Sequence, residues 1–165
     1  MLRVIDSLSE WSGRLAAWLF FVIGIFIVYE VVARYVFLSP TVWSEELSRF
    51  LQIWATYLAA AAVLKNRQLI VIDVITRNSS EKIRIGCETL ALLVIVVFCL
   101  VAVWYGLGIA VESIRIGRAS SSMLAVPSWL SEAAIPVGFA LLLVQALAEL
   151  ARTVSGTTRP APPRH

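Results

Sequence analysis

Trp43-Ser44-Glu45-Glu46-Leu47-Ser48-Arg49-Phe50-Leu51-Gln52-Ile53-Trp54 decides how many times this chain crosses a membrane. The stretch leads into an apolar run, Phe50 to Leu64, that is short for a bilayer span. A span takes about 20 residues, range about 17 to 25. The run reaches that length only if the turn from Glu45 to Arg49 belongs to the same helix. Three charges then sit at the mouth of a hydrophobic segment with no polar gap. Charge so close to hydrocarbon is costly unless it is paired or faces protein. In a helix, Glu45 and Arg49 are i,i+4 neighbours and can pair with each other. Glu46 points elsewhere and needs another partner. The segment is therefore expected to pack on another polypeptide surface, not to serve as a simple lipid anchor.

Working outward, three further apolar runs qualify as spans: Leu15 to Leu38, Leu90 to Val111 and Val126 to Leu150. Composition agrees with a membrane protein. The 165 residues are 59% hydrophobic and 15% charged, with a mean hydropathy of +0.84. A soluble domain carries about 25% charged residues. The expected fold is an all-α membrane protein of four transmembrane helices, with a helical inner connection. Residues 1–152 form the membrane domain, and 153–165, rich in Pro, Ser and Thr, form a disordered cytoplasmic tail.

The net charge of +3 reads as a topology signal, not as a nucleic-acid surface. Arg3, Arg14, Lys65, Arg67, Arg77, Lys82, Arg84, Arg152, Arg159 and Arg164 fall on one side. Arg34, Arg49, Arg115 and Arg118 fall on the other. The positive-inside rule puts both termini and the central loop in the cytoplasm. The first apolar run is too long for a signal peptide and ends without a small-residue cleavage site. Ile5, Leu8, Trp11 and Leu15 recur at helical spacing before it. They suggest a short N-terminal amphipathic helix on the inner surface, with a plain extension of the span as the alternative.

Local signals fill in the plan. Pro40 cannot continue the first helix, and Thr41 or Ser44 can cap the second. Ile70 to Ile75, broken only by Asp73, is too apolar for a free loop and is expected to be helical or to bend back into protein. Pro136 should kink the fourth span. Gly106 and Gly108 fit close helix packing. Cys87 and Cys99 would stand roughly 18 Å apart on one helix and cannot bridge.

Catalysis finds little footing. The single histidine is His165, at the end of the tail. No Cys/His cluster suits a metal, and no cofactor is implied. A carboxylate-dependent membrane enzyme using Glu45, Glu46 and Asp73 is the rival from another class. A complete transporter is also poorly served, since no internal repeat pairs broken helices at mid-membrane. Glu30 and Arg34, one turn apart, are read as a structural ion pair, with an ion site as the functional alternative. Trp54 and Tyr57 either anchor a partner helix or face lipid.

The cassette Trp43-Ser-Glu45-Glu46-Leu-Ser-Arg49, then Ile53-Trp54, Ala59-Ala60-Ala61-Ala62 and Asp73, resembles the DctQ family. These are the small membrane subunits of tripartite ATP-independent periplasmic (TRAP) transporters. The four-span layout and Ile135-Pro136-Val137-Gly138-Phe139 share the likeness. Two positions depart from the family pattern: Ala59, often Gly there, and Leu69, where a histidine is common. The resemblance implies a non-catalytic subunit of the bacterial inner membrane. Its partners would be a large multi-span permease subunit, which holds the sodium and substrate sites, and a periplasmic substrate-binding protein. The solute would be of carboxylate type. Trp43, Glu45, Glu46, Arg49 and Trp54 are the expected subunit-interface residues. The small subunit of a tripartite tricarboxylate system is the runner-up, and the cassette speaks against it.

Overall fold

The computed structural model describes residues 2–39, 41–66, 81–120 and 126–155. They form α1 (Leu2–Tyr35), α2 (Val42–Lys65), α3 (Glu81–Ile116), the short α4 (Ser128–Glu132) and α5 (Ala134–Val154). The cassette and the apolar run after it are one helix, α2, of 24 residues. Four segments are long and apolar enough to cross a bilayer: Arg3–Tyr35, Trp43–Lys65, Ile85–Ile116 and Ser128–Val154. In hydrocarbon every backbone polar group must be satisfied internally, and a helix does so.

Successive spans run antiparallel. α1 packs on α2, α2 on α5, and α5 on α3, so α2 and α5 form the centre and α1 and α3 flank them. Small residues set the approach. A Cβ at Gly138 would meet the Tyr57 carbonyl oxygen at 2.9 Å, and one at Gly13 would meet the Ala62 Cβ at 2.6 Å. Gly106 lies against Ile135 and Pro136, at 3.2 and 3.1 Å on the same measure. Gly108 has open space around it, so only one of that pair serves packing. Leu64, Leu92 and Ala146 join α2, α3 and α5 in a small apolar core.

The N-terminal arm corrects one expectation. No separate amphipathic helix exists among the described residues; α1 is continuous from Leu2 to Tyr35. Of the apolar residues at helical spacing, Leu8 and Trp11 are exposed and Ile5 and Leu15 half-buried. Val4, Leu8 and Trp11 are exposed, whereas Asp6, Ser9, Ser12 and Ala16 are buried. The polar stripe is the packing face, because α2 and α5 supply partners for it. No proline interrupts the arm, and at Gly13 the helix packs closely on Ala62 of α2.

The fourth span is interrupted where α4 gives way to α5, at Ala133. Pro136 has no N–H for the Glu132 carbonyl, and its ring crowds that oxygen. The break therefore falls one turn before the proline. The inner connection expected to be helical, including Leu69 and Asp73, and the tail from 156 lie outside the described residues.

Candidate functional site

Charge gathers at the two ends of the bundle. At the cassette end, Glu45 and Arg49 pair along α2, with side chains 58% and 73% exposed. Glu46 turns inward. Its Oε1 accepts a hydrogen bond from Ser120 Oγ at 3.1 Å, and its buried Oε2 has no partner among the described residues. Ser120 is held there by the loop after α3. Gly117, with φ +62, ends that helix. The Ser120 N–H donates to the Val126 carbonyl and the Ser128 N–H to the Arg118 carbonyl, each at 2.9 Å, and these bonds bracket the loop. Arg118 reaches Glu132 on α4 at 3.5 Å.

The neighbouring residues tie the cassette to α1. The Trp43 ring stands 5.8 Å from Phe26 and 5.7 Å from Tyr29. Ser44 is buried and donates to the Phe26 carbonyl at 3.0 Å. Thr41 occupies the N-cap position of α2, but its hydroxyl does not cap its own helix. Its backbone N–H and hydroxyl both donate to Glu30 Oε2. Glu30 Oε1 accepts from Arg34 at 2.9 Å. One carboxylate thus closes an ion pair on α1 and satisfies an orphan amide at the start of α2, across the turn.

Trp54 sits one helical turn beyond Phe50, and its indole N–H donates to the Leu130 carbonyl on α4 at 3.1 Å. Tyr57 packs its ring on Phe139, 5.6 Å away. Both aromatic residues are engaged within the chain.

The opposite end, where α1 begins and α5 ends, holds a network that sequence reasoning missed. Arg152 donates to Asp6 at 2.7 Å and to Glu149 at 2.5 Å, with all three side chains nearly buried. Gln145 donates to Glu149 at 3.2 Å and accepts from Ser9 at 2.8 Å. Lys65, at the end of α2, donates to the Asp6 carbonyl at 3.1 Å and pairs with Glu10. Two signals in the sequence carry this network. Asp6, Ser9 and Ser12 fall on one face of α1, and Gln145, Glu149 and Arg152 on one face of α5. Polar residues confined to one face of an apolar span mark its protein-facing side.

Among the described residues no group of three or more His, Cys, Asp or Glu side chains is placed to hold a metal. Cys87 and Cys99 are free thiols. What the geometry provides is a buried polar clamp across three helices at one end and an exposed ion pair at the other.

Comparison with known proteins finds a family match over most of the chain. The profile described as "Tripartite ATP-independent periplasmic transporters, DctQ component" matches residues 23–156. The chain is 29% identical over 106 residues to the sialic acid TRAP transporter permease protein SiaT of Haemophilus influenzae, covering 64% of this chain and 17% of that protein. It is 28% identical over 149 residues to the isethionate TRAP transporter permease protein DctMQ of Oleidesulfovibrio alaskensis, covering 87% of this chain and 22% of that protein. The chain thus spans about a fifth of the length of these curated relatives. The matched family is one of transporter components, not of enzymes, which closes the carboxylate-enzyme reading.

Proposed function

The chain belongs to the DctQ family of tripartite ATP-independent periplasmic transporter components, and on that premise we propose that it is the small membrane subunit supporting a large permease subunit in sodium-coupled uptake of a carboxylate-type organic acid. Two relatives far longer than this chain are named as permeases for sialic acid and isethionate. Their length supports a large permease partner, and their names support an organic-acid solute. A periplasmic binding protein completes the system.

The observation that carries this reading is the cassette end. Glu45 and Arg49 form an exposed pair, and Glu46 keeps a buried oxygen without a partner among the described residues. Trp43, Glu45, Glu46 and Arg49 meet the permease subunit, while Trp54 fixes α4 behind them. The Glu30–Arg34 pair is structural. The chain sits in the bacterial inner membrane with both termini and the loop from Lys65 to Arg84 in the cytoplasm, following its basic residues. In a chain freed of Cys87 and Cys99, a periplasmic thiol reagent should label Ser121→Cys and spare Ser79→Cys. The opposite pattern would invert this orientation.

Function is tested by reconstitution. The chain alone in liposomes should give no sodium-driven uptake. Together with its permease subunit and binding protein, uptake should appear. Uptake of equal size without this chain would refute a supporting role.

A further inference from the structure

Past the cassette, α2 turns its polar side chains outward. From Leu51 to Lys65 the exposed residues are Gln52 and Thr56, while every leucine, isoleucine, valine and alanine of that stretch is at least partly buried. A lipid-facing surface is the reverse, as on α3, where Leu90, Val94, Val97, Phe98 and Val101 are exposed. Glu45, Arg49, Gln52 and Thr56 are all exposed and follow one another at steps of four, three and four residues. The same steps continue to the half-buried Ala59 and Val63. A repeat averaging 3.5 residues is the spacing of a helix–helix seam.

Depth sharpens the point. Gln52 lies about 10 Å and Thr56 about 16 Å along the helix from Glu45. The hydrocarbon core is about 30 Å thick, so the stripe runs well into it. The Thr56 hydroxyl donates to the Gln52 carbonyl at 2.8 Å and is satisfied. The Gln52 carboxamide has no hydrogen-bond partner among the described residues. Acyl chains offer it none, and an unsatisfied amide in hydrocarbon is costly. Interhelical contacts in membranes are enriched in polar and small residues of the kind found along this stripe.

We propose that Glu45, Arg49, Gln52 and Thr56 form the docking seam for one transmembrane helix of the permease subunit. That helix presents a hydrogen-bonding side chain opposite Gln52 and polar or charged groups opposite the Glu45–Arg49 pair. The inference rests on the role proposed above and adds the face, the depth and the chemistry of the partner. Charge complementarity disfavours a second copy of this chain as the occupant. Two copies in the same membrane orientation meet at equal depth, which would set Glu45 against Glu45 and Arg49 against Arg49.

The test uses the full chain co-expressed with its permease subunit. A photo-crosslinking residue is introduced as Gln52→benzoylphenylalanine, Thr56→benzoylphenylalanine and, as control, Val94→benzoylphenylalanine. Positions 52 and 56 should yield adducts with the permease subunit, and position 94 adducts with phospholipid. Only phospholipid adducts or self-dimers at 52, in a complex that still co-purifies, would overturn the seam and leave the subunit role standing. If no permease co-purifies with the unaltered chain, the role fails and the seam with it. In parallel, Gln52→Leu should weaken association about threefold, the size of an average interhelical hydrogen bond. The isolated chain should fold as before, and Gln52→Asn should recover part of the loss. Equal or tighter association of Gln52→Leu would overturn the seam.

Discussion

The two ends of this bundle use charge in opposite ways. Where α1 begins and α5 ends, Asp6, Lys65, Glu149 and Arg152 are buried and pair across three helices. At the cassette end, Glu45 and Arg49 pair within one helix and stay exposed. A buried cross-helix pair fixes the register of the helices that share it. An exposed pair along one helix contributes little to the fold, typically about 0.3 to 0.5 kcal/mol. The first arrangement holds the chain together, and the second leaves its charges on the surface. Glu30 is the exception at the cassette end, since it joins α1 to the start of α2.

The largest expected effect lies at the buried end. Arg152→Ala leaves Asp6 and Glu149 without their shared cation and should cost about 3 to 5 kcal/mol. Thermal unfolding in detergent should show it, and Asp6→Asn with Arg152→Met should recover part. If Arg152→Ala melts like the parent, the contrast between the ends collapses. Next comes Gly138→Ala, which sets a Cβ against the Tyr57 backbone and should destabilise by about 1 to 3 kcal/mol through overpacking. Its melting temperature tests whether the α2–α5 approach couples the two ends.

Glu30→Gln weakens the acceptor for Arg34 and Thr41 and should lower the melting temperature less than Arg152→Ala does. Sodium dependence of uptake per assembled complex should not move. A shifted dependence at normal assembly would give Glu30 a share in ion coupling. The smallest effect on the isolated chain belongs to Arg49→Ala, within about 0.5 kcal/mol. Recovery of the permease subunit by affinity purification should nevertheless fall. Unchanged recovery would show the exposed pair to be idle, and the cassette end would lose its claim to be an interface.

The contrast also marks what could be read from sequence. Four spans were legible because apolar runs of fixed length announce themselves, and the second was resolved by placing Glu45 and Arg49 on one helix. That pairing is local, four residues apart, so spacing alone reveals it. The Asp6–Arg152 pair joins residues 146 apart, and no periodicity connects them. The arm misled for a related reason. Its apolar spacing fits a surface helix and an extension of the span alike, and the partners that hold it in α1, Gln145 and Arg152, stand far away in sequence on α5. Glu46 could be seen to need a partner, but Ser120 arrives through a loop whose path follows from the fold.

The Asp6–Arg152 contact has a consequence for biosynthesis. Ribosomes add about 5 to 20 residues per second, so Asp6 enters the membrane roughly 7 to 30 s before Arg152 emerges. Until then the first helix carries a carboxylate that its final cation has not yet neutralised. A chain cut short before the last turn of α5 would lack Arg152 and leave the Asp6 carboxylate without that cation.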